Sequence, residues 1–257
     1  MIKEITPVVI KGRSIGGEKP QVCVPLVGKT EEELLREAEV IADIKPDLVE
    51  WRIDFFDDVE DIEKVIKVLE KIHNILSSYP MIFTCRAIEE GGYKEIDQSK
   101  RINLIQAVIA TKLVDLVDIE LINGADLIKE VLQQAHENHV KVIVSNHDFR
   151  KTPSKETIVE RLVKAQEYGA DIAKIAVMPT NERDVLTLLE ATLEVKEKAA
   201  NIPLITMSMS GKGVISRIAG GIFGSAVTFA AGKEASAPGQ IAISRLRQAI
   251  DILYASL

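Results

Sequence analysis

Apolar residues along this chain follow two rhythms. Short runs rich in β-branched and aliphatic side chains begin near Val22, Asp47, Met81, Leu116, Val142, Asp171, Leu204 and Ala226. Between them lie segments whose apolar positions recur every three to four residues, such as "TEEELLREAEVIADI", "DIEKVIKVLEKIHNIL" and "ERDVLTLLEATLEVKEKAA". The first rhythm predicts strands and the second amphipathic helices. Thr30 opens the first helical segment with Glu33 three residues on, a capping-box pattern. Eight strand–helix units recur about every 30 residues. Closing them into a parallel (β/α)8 TIM barrel leaves no sheet edge, and 257 residues suit one such domain spanning 1–257. A doubly wound open sheet is the alternative, but no GxGxxG follows the first strand. Ahead of the first unit, "PVVIKGRSIGGEKP" reads as strand–turn–strand, a hairpin expected to close the barrel's bottom.

Strand side chains alternate faces, so residues i and i+2 share one. In "LVEWRIDFF", Glu50, Arg52 and Asp54 fall on one face and Trp51 and Ile53 on the other. The apolar set must pack beneath the helices, which turns the charged row inward. Asp118 and Glu120 repeat the pattern, and Arg86 shares a face with Thr84, with Glu89 and Glu90 following at the strand's end. Ile143, Ser145 and His147 align on the fifth strand, Ile172, Lys174 and Ala176 on the sixth. Parallel barrels carry their chemistry at the C-terminal strand ends, where these charges converge.

A lysine inside an apolar strand needs compensation for its lost hydration. Desolvation also lowers a lysine's pKa, and the neutral amine attacks carbonyls to form imines. Lys174 is therefore the candidate nucleophile and His147, one strand away, the candidate proton carrier. Glu90 is a carboxylate suited to orienting that imidazole. The plainer reading is an ion-pair network that holds the barrel together, with Lys174 neutralising Glu50 or Glu120. Met207 and Met209 share a face of the seventh strand as apolar walls. Arg217 follows in a short helix, where its planar fork suits a carboxylate or phosphate. Ser236 and Gln240 bracket "SAPGQ", a loop able to act as a lid or merely to start a helix. These residues point to a Schiff-base lyase on a small polyhydroxylated keto acid, with carbon–carbon cleavage and water loss both open.

Composition narrows the classes further. A formal charge of −7 argues against nucleic acid or an anionic membrane as partner. Aromatics at 4% leave little for stacking on bases. No apolar run nears the ~18 residues of a membrane span, and "MIKEITPVVIKGR" lacks a signal peptide's pattern, so a cytoplasmic protein is expected. Cys23 and Cys85 read as reduced packing residues, and no cysteine–histidine cluster suggests a metal. His73, His136 and His139 lie in polar helical surroundings and are expected to face solvent.

"EWRID", the "EEGG" after Arg86, "SNHDF", "KIAVMP", "TMSMS", "GVISR", "FGSAVTF" and "SAPGQ" strongly resemble type I 3-dehydroquinate dehydratases, collinearly from about residue 20. The resemblance implies conversion of 3-dehydroquinate to 3-dehydroshikimate and water in the shikimate pathway. It implies no metal or other cofactor, and a homodimer. It assigns Lys174 to the imine, His147 to acid–base work and Glu90 to orienting the histidine. Glu50, Arg52 and Arg86 fall on positions that hold substrate hydroxyls. Arg217, Ser236 and Gln240 fall on those of carboxylate capture and the lid, and Met207, Met209 and Phe229 on apolar walls. Gly221, Tyr93 and Pro25 depart from the family's usual residues without removing a catalytic group. A class I aldolase, a metal-dependent barrel using the inward acids, and a non-catalytic binding barrel are the competing classes.

Overall fold

A computed structural model describes residues 5–232 and 236–256. Eight parallel strands run in spatial order β10-β3-β4-β5-β6-β7-β8-β9. They are β3 (Gln21–Leu26), β4 (Leu48–Arg52), β5 (Met81–Thr84), β6 (Leu116–Glu120), β7 (Lys141–Asp148), β8 (Ile172–Val177), β9 (Leu204–Ser208) and β10 (Val227–Phe229). A bridge between Leu204 and Ser225, with Ala226 N–H donating to the Leu204 carbonyl at 2.6 Å, closes the ring. Each strand leads to a helix: α1 (Glu31–Ile44), α2 (Ile62–Leu76), α3 (Gln98–Thr111), α4 (Ala125–Glu137), α5 (Lys155–Glu167), α6 (Glu182–Lys198), α7 (Val214–Phe223) and α8 (Ile243–Tyr254). This is the TIM barrel expected from the strand–helix period.

Alternation along the strands divides the interior in two. Val49, Trp51, Phe83, Val117, Ile119, Val142, Val144, Ala173 and Ile175 join the helices in an outer apolar layer. Cys23, Leu48, Ile82, Leu116, Ile143, Ile172, Ile205 and Val227 form a separate cluster inside the barrel. These inner residues sit near the N-terminal strand ends, and two positions later each of several strands turns polar: Glu50, Thr84, Asp118, Ser145 and Lys174. An apolar floor thus lies beneath a charged upper layer. Hairpin strands β1 (Val8–Ile10) and β2 (Arg13–Ile15) pair antiparallel and add Val8 and Ile15 to the floor cluster. Both cysteines are free and buried, and burial raises both thiol pKa values.

Helix entry follows local chemistry. Thr30 Oγ1 accepts from Glu33 N–H at 3.3 Å, whereas the Glu33 carboxylate takes the N–H of Lys29 at 2.8 Å. The expected reciprocal box is therefore displaced by one residue. A complete capping box forms instead at α6, between Asn181 and Asp184. No helix among the described residues is long and apolar enough to cross a membrane.

Candidate active site

The upper barrel layer is built by strand register. Pairing of β7 with β8 sets Ser145 beside Lys174 and His147 beside Ala176. Lys174 Nζ donates to Asp118 Oδ2 at 2.8 Å and lies 3.5 Å from Glu50 Oε1. Glu120, considered from sequence as its partner, is instead held by Arg86 at 3.0 Å and by Arg101 at 3.0 Å. Arg86 Nη1 also donates to Asp118 Oδ1 and Ser145 Oγ, each at 2.9 Å. Thr84 Oγ1 donates to Glu50 at 2.9 Å. Despite burial, Arg86 and Lys174 hold the Asp118 carboxyl well below the usual carboxylate range.

Beside the lysine lies a histidine–carboxylate pair. Glu90 Oε2 is 2.9 Å from His147 Nδ1 and accepts the His147 backbone N–H at 2.7 Å. Burial and, less strongly, the nearby Glu120 and Asp118 charges push the Glu90 carboxyl up to about 8, against the pull of Arg86. Burial, with the Arg86 and Lys174 cations, pushes the imidazole well below its ordinary pKa. The two groups are poised to share one proton near neutrality. Glu90 ends a short turn whose next residue, Gly91, has φ +85°. A Cβ there would lie 2.2 Å from the Phe149 ring, so only glycine lets that ring cover the turn.

Arg52 makes two 2.8 Å bonds to Asp54 through Nε and Nη2, and its Nη1 reaches the Ser236 carbonyl at 3.4 Å. Ser236 and Gln240 bond each other twice: Ser236 N–H to Gln240 Oε1 at 2.9 Å and Gln240 Nε2 to Ser236 Oγ at 3.0 Å. Residues 233–235 of the same loop lie outside the described residues. The inward side chains of this layer border one small cavity at the C-terminal strand ends.

Of the candidate residues, Glu50, Arg52, Arg86, Glu90, His147, Lys174, Met207, Met209, Phe229, Ser236 and Gln240 line this cavity. Arg217 stands behind its wall, with Nη1 3.8 Å from Met207 Sδ and 3.5 Å from the Phe229 carbonyl. Its Nη2 donates to the Pro238 carbonyl at 3.0 Å, and its Nε has no partner. Burial alone pulls this guanidinium down to about 10. Among the described residues it forms no ion pair.

Asp118, which the strand pattern marks only as one more inward acid, is the nearest partner of Lys174. Arg101 escaped attention because it lies on a helix. Its signal was present: Leu104, Ile105 and Val108 follow at three, four and seven residues, which places a charge on α3's buried face. Phe149 was also missed, although it ends the "SNHDF" run. Among the described residues, no group of three or more His, Cys, Asp or Glu is placed to hold a metal ion. Of the histidines expected to face solvent, His136 and His139 are exposed, while His73 is half-buried with Nδ1 2.9 Å from the Leu113 carbonyl.

A profile of the type I 3-dehydroquinase family matches residues 22–256. The chain belongs to that family. It is 50% identical over 250 residues to the 3-dehydroquinate dehydratase of Bacillus licheniformis, covering 97% of this chain and 98% of that one. The Clostridium botulinum 3-dehydroquinate dehydratase is 52% identical over 250 residues at the same coverage. The crystal structure of type I 3-dehydroquinate dehydratase from Clostridium difficile, described with covalently modified comenic acid, matches with a TM-score of 0.95. That relative is 49% identical, with 98% of this chain and 99% of the other covered. A dehydratase from Geobacillus kaustophilus matches equally well in fold, at 0.95 and 43% identity.

Proposed function

We propose that this chain removes water from 3-dehydroquinate to give 3-dehydroshikimate, through an imine on Lys174 with His147 as general acid and base. The observation that carries this reading is a buried lysine and a histidine–carboxylate pair facing one small cavity.

In this reading Lys174, freed of one proton, attacks the substrate carbonyl, and loss of water leaves a protonated imine. The nitrogen keeps its positive charge, so Asp118 and Glu50 continue to balance it throughout. Asp118 is a poor acceptor for the proton released, because Arg86 holds it ionised. The neutral imidazole, kept so by burial, is the better acceptor, and it returns that proton to the carbinolamine hydroxyl that leaves as water, so it is neutral again once the iminium has formed. The iminium then acidifies the neighbouring carbon, whose proton passes to His147. The same proton goes to the departing hydroxyl, and hydrolysis of the imine restores Lys174 and frees the product. Glu90, by accepting from Nδ1, leaves Nε2 to face the substrate. Glu50, Arg52 and Arg86 hold the hydroxyls, Met207, Met209 and Phe229 wall the ring, and Arg217, Ser236 and Gln240 receive the carboxylate under the loop.

The reading further takes residues 1–257 as one domain of a cytoplasmic shikimate-pathway homodimer that uses no cofactor. Sedimentation should then return the mass of two chains. The central experiment is borohydride trapping with 3-dehydroquinate, followed by peptide mass spectrometry. A reduced adduct on Lys174, and a growing conjugated-enone absorbance in untreated samples, are the expected results. Lys174→Ala should abolish both. Active enzyme that yields no adduct sinks the imine, and cleavage of a sugar phosphate with 3-dehydroquinate untouched would favour an aldolase.

A further inference from the structure

On β7 the outward, helix-facing positions are Val142, Val144 and then Asn146. An amide breaks an apolar series where the strand meets α5. Its two ends are both used. Asn146 Nδ2 donates to Glu90 Oε1 at 3.1 Å, and Asn146 Oδ1 accepts from Arg161 Nη1 on α5 at 2.8 Å. A guanidinium has only donors, so Arg161 fixes which way the amide points. With its oxygen toward Arg161, the amide can only offer hydrogen to Glu90.

We propose that Asn146 and Arg161 are positioning residues that hold Glu90 in the orientation, and bias it toward the ionised form, that His147 needs to carry protons. The proposal rests on reading Glu90 and His147 as the proton-carrying pair. Glu90 has two oxygens to commit. Oε2 takes the His147 backbone N–H and lies against Nδ1, and the amide occupies Oε1, so the carboxyl cannot rotate without losing all three contacts. The two fixed donors, the His147 backbone N–H and the Asn146 amide, favour its ionised form. The surrounding charges divide: Arg86, two residues past β5, favours ionisation of Glu90, while Asp118 and Glu120 of β6 oppose it. Arg86, Lys174 of β8 and Arg52 of β4 oppose protonation of His147, and Asp118 favours it. Among these charges of both signs, the donor fixed on Oε1 adds to what decides where the pair holds its proton. Without Arg161 the amide is free to flip, which would turn its carbonyl against the carboxylate.

The test is the pH dependence of kcat/KM in Asn146→Leu, Arg161→Met, the double variant and Arg161→Lys. Loss of a donor to the carboxylate raises the pair's pKa, so the limb on which activity grows as the pair deprotonates moves to higher pH. For Asn146→Leu we expect a shift of about one pH unit and about a tenfold loss of kcat, with KM little changed. Arg161→Met, on a half-buried helix position and expected to fold, should move the limb the same way by less. The double variant should be no worse than Asn146→Leu, since Arg161 acts through the amide. Arg161→Lys should restore the native profile. An unmoved limb in Asn146→Leu, or additive losses in the double variant, would overturn the relay. Unchanged turnover in Glu90→Gln and His147→Ala would instead overturn the reading beneath it, and borohydride trapping in each variant reports separately on Lys174.

Discussion

Arg217 is 2% exposed and, among the described residues, without a carboxylate partner. A buried cation in that state costs several kcal/mol, roughly, and a fold that retains one gains nothing from it until an anion arrives. The Pro238 and Phe229 carbonyls soften the cost without cancelling the charge. Arg217→Met should therefore leave thermal stability unchanged or higher while raising KM for a carboxylate substrate about 10- to 100-fold. Melting curves and steady-state kinetics on the same preparation check both halves. Lys174 is the opposite case: Asp118 and Glu50 balance its charge already. Removing it leaves Asp118 to Arg86 and Glu50 to the Thr84 hydroxyl, with one cation fewer among buried acids, so loss of activity in Lys174→Ala must be read beside a folding control.

The β1–β2 hairpin does at the barrel's bottom what the loops do at its top. Ile15 is fully buried and packs with Leu48, Ile82, Leu116, Ile143 and Ile172, closing an interior that water would otherwise enter. Ile15→Ala should cost about 2–4 kcal/mol of stability with kcat and KM unchanged where the protein remains folded, as measured by urea unfolding and kinetics at low temperature. Elements of this kind were legible in the sequence because period and alternation are local. The eight strand starts, the hairpin and the inward row of Glu50, Arg52, Asp118, Ser145, His147 and Lys174 all follow from counting residues. What stayed illegible depends on stagger between strands. Only the register decides that Lys174 meets Asp118 rather than Glu120, and that Arg101 reaches in from a helix to take the latter. The offset at Thr30 is likewise a matter of side-chain reach, since Glu33 satisfies Lys29 instead of the cap residue.

Across the whole molecule, the paired charges make folding stability depend on pH in a way that isolates the Glu90–His147 pair. In the folded state burial raises Glu90 to about 8 and depresses His147, so the pair retains one proton up to that pH. Unfolded, the glutamate ionises near 4.3 and the histidine loses its proton near 6.5. Between about 4.3 and 6.5 both states of the pair hold one proton, the glutamate and histidine contributions cancel, and stability is flat in pH. Between about 6.5 and 8 the folded pair keeps its proton while the unfolded pair has none, so stability falls as pH rises. The loss expected across that window is roughly 1–2 kcal/mol. Asp118 acts elsewhere: its depressed folded pKa gives stability that is present at neutral pH and lost only as pH falls below about 4. The buried thiols of Cys23 and Cys85 enter only above about 8.5, where the unfolded chain ionises them. Urea unfolding at pH 6.5 and pH 8.0 should thus show the native chain less stable at the higher pH and Glu90→Gln nearly indifferent to the change. Equal slopes in the two proteins would mean that the proton taken up on folding resides somewhere other than this pair.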